Sequence, residues 1–506
     1  MSSMQNDKPN SIIKNTLFLY LRMLFIMIVS LFTSRVVLNA LGVNDYGIYN
    51  VVGGFISMFN VFCAGLSTTT QRFITYDLGK GDAKELTRTF SSCVIIYIFI
   101  SIIIIIIAEI GGMWFLENKM TIPADRFHAA KYVYQISLLT LVINLISIPY
   151  NALIISHEKM KAFAYISIFE ASAKLLVAYC ILISPFDKLI VYAILLFLIQ
   201  LIIRCIYTYY CKKNFKEANI TYKIDKEKIK QLYSFAGWAM FGGLASMGFT
   251  QGLNVLLNIF FSPAINAARG IAVQVQNAVN SFAINFQTAV NPRIIKSFAS
   301  KDLEYMFKLV FSSSKFSFLL LYGISLPILL ETKTILNLWL QNPPEYTDIF
   351  LKLIIITTII DAMSNPFMRV ADATGKIKYY QITVGTILLL IVPISYIVLK
   401  LGGKPYSVFI VHLIICIIAF LVRLFIVKSL VVFSIRKYFT DVILKLLTTS
   451  ILTLIIPLII YFKLPQSNLR LFYVILSSYF IFIIISYIVS LTNEERRIIL
   501  NKIRRK

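Results

Sequence analysis

An ionised side chain inside a run of about 20 apolar residues is costly unless it meets water or a partner, so such residues are functional candidates by default. This chain has many, and bases outnumber acids. Arg22 and Arg35 fall in the first apolar run, Glu170 and Lys174 in the fifth, Arg204 in the sixth and Arg269 at the start of the eighth. Lys315 falls in the ninth, and Asp361, Arg369 and Asp372 in the tenth. Buried guanidinium and ammonium groups are suited to charge-assisted hydrogen bonds. Glu170 and Lys174 are four apart and share a helix face, where they either neutralise each other or serve function. Arg204, Arg369 and Arg423 lie near run ends and are expected to snorkel to lipid headgroups. Arg22 and Lys315 lie about two turns in, where a cavity-facing role is favoured. Asp361, near mid-run with no second carboxylate, is the candidate for coupling to a proton or cation. A structural hydrogen bond or ion pair is its plainer reading.

A second signal is uncharged. Asn50, Gly53, Ser57, Asn60, Ala64 and Ser67 recur at helical spacing and fall on one stripe. Gln274, Asn277, Ser281, Ile284, Thr288 and Asn291 repeat that spacing in the eighth run, widened by Gln276, Asn280, Asn285 and Gln287. A small-residue seam explains the first stripe as well as a cavity does. The second has more amides than a seam needs, and amides in hydrocarbon are costly. It is read as lining a water-filled cavity, with the matched first stripe facing the same space. Catalysis has no comparable support. There is no G-x-x-x-x-G-K-[ST] phosphate loop, and His128, His157 and His412 are scattered. Cys63, Cys93, Cys180, Cys205, Cys211 and Cys416 lie singly, without ligand spacing. No catalytic residue, metal or cofactor is expected.

What must position these groups is a set of membrane helices. The chain is 58% hydrophobic and 14% charged, with a mean hydropathy of +0.78, which no soluble domain presents to water. Fourteen spans are expected, at roughly 15–40, 46–68, 87–110, 129–155, 162–184, 188–210, 234–260, 268–291, 306–330, 347–371, 377–399, 405–427, 440–462 and 469–491. Loop charges alternate with them. One side holds the lysines and arginines of residues 8–14, 72–88, 159–161, 212–230, 293–308, 376–378, 436–437 and 496–506; the other holds only Lys119, Arg126, Lys188, Lys333, Lys400, Lys404, Lys463 and Arg470. By the positive-inside rule both termini are cytoplasmic. The net charge of +25 then reflects this asymmetry and attraction to anionic lipids. Nucleic acid is not an expected partner, since no basic domain stands apart from the spans. Short external loops and an Ile/Lys/Asn-rich composition fit a bacterial inner membrane.

The runs are duplicated. Ser147-Ile-Pro149-Tyr150 is echoed by Ser364-Asn-Pro366-Phe367, Gln71-Arg72-Phe73-Ile74 by Pro292-Arg293-Ile294-Ile295, and Leu201-Ile202-Ile203-Arg204 by Phe420-Leu421-Val422-Arg423, at offsets of 217 to 221 residues. Six runs separate the copies, so both halves point the same way, the parallel-repeat plan of one transporter class. The expected organisation is a six-helix lobe over 1–211, a basic linker over 212–233, either surface-lying or a solvated tether, and a second six-helix lobe over 234–438. Two additional helices over 439–491 and a basic tail over 492–506 complete it. Pro149 and Pro366, at matching positions, are candidate hinges.

Leu41-Gly42-Val43-Asn44-Asp45-Tyr46-Gly47-Ile48-Tyr49-Asn50, Gln71-Arg72-Phe73, Lys80-Gly81-Asp82, Ile148-Pro149-Tyr150-Asn151-Ala152 and His157-Glu158-Lys159-Met160 resemble Wzx-like polysaccharide and O-antigen flippases. Those form a branch of the multidrug/oligosaccharidyl-lipid/polysaccharide exporter (MOP) superfamily. The resemblance implies an all-α, MATE-like inverted V of two six-helix lobes plus two helices. Its cargo would be undecaprenyl-pyrophosphate-linked oligosaccharide, moved from the cytoplasmic to the periplasmic leaflet by alternating access. On that reading Arg22, Arg35, Lys174, Arg269 and Lys315 hold the pyrophosphate. Asn50, Ser57, Asn60, Gln274, Asn277, Ser281, Asn285 and Thr288 meet sugar hydroxyls, and Asp361 and Glu170 couple transport to H+ or Na+. Membrane lipids and polysaccharide assembly proteins are the further partners. Alternatives are a drug/cation antiporter of the same superfamily, whose cavity should be acidic, an uncoupled lipid scramblase, and a membrane-embedded glycan polymerase or ligase.

Overall fold

In hydrocarbon each backbone N–H must find its acceptor within its own segment, which a helix provides. The computed structural model describes residues 8–57, 59–118, 123–219, 225–261, 263–340 and 342–497; no strand occurs among the described residues. The long helices are α1 (Lys8–Ser57), α2 (Asn60–Lys80), α3 (Ala83–Ile107), α4 (Phe127–Ser156), α5 (Met160–Cys180), α6 (Lys188–Asn214) and α7 (Lys226–Phe260). They continue as α8 (Pro263–Ala299), α9 (Leu303–Leu330), α10 (Thr347–Thr374), α11 (Ile377–Lys400), α12 (Ser407–Leu430), α13 (Ile435–Lys463) and α14 (Asn468–Ser490).

Ten helical stretches among the described residues are long and apolar enough to cross a membrane, against the fourteen expected. The expected spans missing from the ten are 46–68, 234–260, 268–291 and 347–371. The last three are helical throughout and 46–68 is helical up to Ser57 and from Asn60, but their polar residues dilute the apolar content on which such a count rests. The polar stripe over residues 50–67 is also interrupted, because α1 ends at Ser57 and α2 begins at Asn60. Within α1 the backbone turns at Gly42 (φ 74°, ψ 171°), a conformation that a residue without Cβ adopts readily.

The repeat is visible in the turns. Gly81 and Lys301 both have positive φ, each followed by an aspartate, Asp82 or Asp302, whose carboxylate accepts from the first amides of the next helix. Glu158 and Gly375 likewise both have positive φ just after the proline-bearing helices α4 and α10. Pro149 and Pro366 are buried inside those helices.

Two compact units divide inside α7, the first spanning Ile13–Gly243 and the second Leu244 onward together with the start of α1 up to Ile12. In the first, Ile48 and Val52 of α1 pack with Ala130, Val133 and Tyr134 of α4 and Leu189 of α6, and the Tyr134 hydroxyl donates to the Ala108 carbonyl at 2.6 Å. In the second, α10 is the central helix, packed against α8, α9 and α12, with Phe367 against Tyr438 at 4.8 Å between centroids. Half of the expected linker is α-helix. α6 continues to Asn214 and α7 starts at Lys226; Ile220, Tyr222 and Ile224 lie outside the described residues.

Candidate functional site

The first unit holds an open cavity of about 410 Å³ between α1 and α5, lined also by Tyr192 of α6. Helical spacing places Arg22, Ile26, Ser30, Thr33, Ser34 and Val37 along one face of α1 and Ser167, Glu170, Ala171 and Lys174 along one face of α5. Beyond the bend at Gly42, Tyr46 and Tyr49 line the same space. Tyr49 meets Tyr192 edge to face at 5.0 Å.

The charges here are unequal in kind. Lys174 Nζ donates to Glu170 Oε1 at 2.6 Å, and Gln200 Nε2 donates to the same oxygen at 2.8 Å. Lys174 and Glu170 therefore neutralise each other. Arg22 lies over the Phe163 ring at 4.3 Å, a cation–π contact, while its buried Nε has no hydrogen-bond partner among the described residues. It is a cation with donors to spare. Arg35 is exposed and does not line the cavity. The side chains of Asn50, Ser57 and Asn60 lie outside the described residues.

In the second unit α8 carries its polar residues in two sets. Gln276 donates to Thr358 Oγ1 at 2.8 Å, and the buried Gln287 donates to Ser317 Oγ and the Ala362 carbonyl at 2.9 and 2.8 Å; these bind helices together. Gln274 and Asn277 are exposed, and Ser281, Asn285 and Thr288 are half-buried, each of the last three also bonded to its own helix. Arg269 is buried, donating to Asn254 Oδ1 and to the Thr250 carbonyl at 3.0 Å on α7. Its Nε has no partner among the described residues. Asp361 accepts from Cys416 Sγ at 3.0 Å and lies 3.5 Å from Arg423, and its side chain stays 40% exposed, which leaves room for a further ligand.

Three sequence expectations are corrected. Lys315 does not face a cavity: its ammonium is buried and donates to the carbonyl of Ser490, the last residue of α14, at 3.2 Å and to Glu495 Oε2, just past that helix, at 2.5 Å. Arg423 does not snorkel; it is buried and donates to Ser364 Oγ, because the Ser-x-Pro segment of α10 offers it acceptors. Arg204 lies over Tyr150 at 4.0 Å, next to Pro149, with a buried Nη1 that has no partner among the described residues. In both repeats, then, an arginine of the sixth helix meets the Ser-x-Pro-aromatic segment of the fourth.

The motif around Gly42 owes its chemistry to a clasp. Arg126, just before α4, pairs with Asp45 and, at 2.6 Å, with Asp187, the N-cap of α6. Burial works to raise the Asp187 carboxyl, yet the Arg126 hydrogen bond, the Ile190 and Leu189 amides and the guanidinium charge together hold it below the usual aspartate value. A depressed carboxyl adds stability that is present above the ordinary value of about 3.9 and lost as pH falls through the native value. For a partly exposed pair this is worth ~1 kcal/mol. Detergent-solubilised protein should therefore lose thermal stability on acidification below about pH 4, and Asp187→Asn should flatten that dependence. An unchanged acid limb in the variant would exclude this cluster as its source.

Tyr46, Tyr49, Tyr192 and Gln200 were not singled out by sequence reasoning. The one available signal was the spacing of Tyr46 and Tyr49, three apart beside Asp45.

A sequence model of the family described as polysaccharide biosynthesis protein matches residues 12–298. No curated protein matches significantly. Among solved structures, the chain is similar to a MATE transporter in its straight conformation (13% identity, TM-score 0.70, covering 83% of this chain and 96% of that one). It is also similar to a MOP superfamily transporter from Pyrococcus furiosus described as having a binding pocket of reverse polarity (12%, 0.68, 83% and 96%). A third similar structure is the MATE transporter ClbM in complex with Rb+ (15%, 0.67, 84% and 96%). These likenesses establish a MATE-like fold. With more than half of its length matched, the chain belongs to the polysaccharide biosynthesis protein family, and its long apolar helices make it a multi-pass membrane protein.

Proposed function

We propose that the protein flips undecaprenyl-pyrophosphate-linked oligosaccharide from the cytoplasmic to the periplasmic leaflet of a bacterial inner membrane, with both termini cytoplasmic. The observation that carries this is Arg22, a guanidinium with an orphaned Nε on a polar cavity inside a membrane span. A pyrophosphate supplies the acceptors that Arg22 lacks. Arg22 is the principal anion contact in this reading. Lys174 is a reserve cation that must first leave Glu170, and in the second unit Arg269 keeps its Nε available for an anion. The exposed amides Gln274 and Asn277, with Ser281, Asn285 and Thr288 beside them, meet sugar hydroxyls. Arg35 has a place only at the cavity's approach, and Lys315 has none. A drug/cation antiporter is disfavoured, because an organic cation would meet Arg22 as a like charge.

Reconstitution tests the reading. Vesicles holding the purified protein and undecaprenyl-pyrophosphate-linked oligosaccharide should render inner-leaflet glycan accessible to an external lectin, and protein-free vesicles should not. Exchange of an organic cation without glycolipid movement would overturn it. Asp361, the carboxylate with an open side, is the proposed coupling group, with H+ or Na+ as the partner ion. Asp361→Asn should leave flipping insensitive to an imposed ion gradient; a full response in the variant would remove Asp361 from coupling.

A further inference from the structure

Next to the polar cavity, on the adjoining faces of the same two helices, lies an apolar groove of about 590 Å³. Phe25 and Val29 of α1 form one wall, and Leu175, Leu176 and Tyr179 of α5, with Ile183 beyond it, form the other. Val29 lines both spaces, and Phe25 and Leu175 of the groove are chain neighbours of Ile26 and Lys174 of the cavity. The two volumes are within the usual range for ligand sites, about 300–1,000 Å³. Together they make one site with a charged, hydroxyl- and tyrosine-lined pole and an apolar pole side by side.

We infer that this groove binds the first isoprene units of the polyprenyl chain while the attached pyrophosphate occupies the neighbouring cavity at Arg22. The inference rests on the glycolipid reading above. Continuity with the cavity favours a lipid whose anionic group enters the protein. An ordinary phospholipid keeps its phosphate at the interface, whereas Arg22 lies inside the span Asn15–Gly42, with its Nε buried. A pyrophosphate at that depth must carry its own chain alongside, and the wall residues Leu176, Tyr179 and Ile183 are exposed to receive it. The groove thus suits an isoprenoid chain attached to a buried pyrophosphate, and it places that chain along the seam between α1 and α5.

A benzophenone amino acid placed at Leu176, and as a control at Leu458, which is also exposed, on α13, tests this in vesicles containing undecaprenyl pyrophosphate and phosphatidylglycerol. Mass spectrometry should find undecaprenyl adducts enriched roughly tenfold at Leu176 over Leu458, a difference expected of one bound chain segment. The enrichment should vanish in Arg22→Ala. Leu176→Trp, at an exposed position that tolerates bulk, should weaken undecaprenyl pyrophosphate binding while membrane abundance is retained. Equal labelling at the two positions, or a preference for phosphatidylglycerol at Leu176, would overturn the groove even where the lectin assay still reports flipping. A negative lectin assay would instead remove the transport reading itself.

Discussion

Arg22→Ala is expected to lower glycolipid flipping by about 10- to 100-fold, the loss that follows from removing one charge-assisted contact of about 1.5–3 kcal/mol. It should do so without lowering stability. Arg22 is a cation inside a span with an orphaned Nε, set over the Phe163 ring and within reach of the charge of Glu170, which Lys174 already neutralises. Removing it relieves a desolvation cost, so the alanine variant should melt at or above the wild-type temperature. Lost transport with retained stability is the signature of a group kept for function at the expense of the fold. Arg22→Lys should fall between, because an ammonium keeps the charge and loses the planar fork. Lys174→Ala should cost less than Arg22→Ala, since Lys174 is already spent on Glu170 at 2.6 Å. The measurements are surface glycan in a cell lacking its native flippase, membrane abundance by immunoblot, and thermal melting in detergent. Normal glycan with Arg22→Ala would dismiss the assignment, and a collapse in abundance would recast Arg22 as structural.

The helices, their order and the duplication were legible in the sequence, because apolar run length and charge alternation are direct consequences of the bilayer. The assignment of charges to roles was only partly legible. Arg22 and Lys315 look alike in sequence, each about two turns inside a run, yet one lines a cavity and the other is clamped by Glu495. Their difference depends on a carboxylate 180 residues away, which no local pattern carries. Arg423 is the same lesson at shorter range. Its acceptors Asp361 and Ser364 sit on another helix, so depth alone suggested snorkelling. The amide-rich run of α8 was read as one cavity face, and the structure divides it by helix geometry. Gln276 and Gln287 fall where neighbouring hydroxyls reach them, while Gln274 and Asn277 do not. Glu170 and Lys174 were the exception that local spacing could resolve, because i and i+4 meet on any helix.

Lys228→Met should be the most destabilising single change in the first unit, although Lys228 lies in a lysine-rich stretch that sequence alone treats as a linker. Its side chain is 8% exposed and its ammonium donates to Asp77 at 3.1 Å and Glu85 at 2.7 Å. Asp77 also accepts from Thr89 Oγ1 at 2.5 Å. Around this ionic centre Phe73 packs on Phe235 at 5.7 Å, and Gly65 lets α7 approach so closely that an added Cβ would lie 2.7 Å from Met240 Cγ. The opening turns of α7 are thereby docked on α2 and α3, and they belong to the first unit while the rest of the helix belongs to the second. Removing the lysine leaves the almost wholly buried Asp77 with the Thr89 hydroxyl and the partly exposed Glu85 with Arg88 at 3.9 Å, and stripping the buried carboxylate of its cation costs about 3–5 kcal/mol. Pairing Lys228→Met with Asp77→Asn should recover part of that loss, since neighbouring charges couple by about 0.5–3 kcal/mol. Lys228→Met alone should also lower transport in proportion to membrane abundance, whereas Arg22→Ala lowers it at constant abundance. A Lys228→Met protein that melts like the wild type would mean that water enters the cluster and solvates both carboxylates, and α7 would then be held on the first unit by its apolar contacts alone.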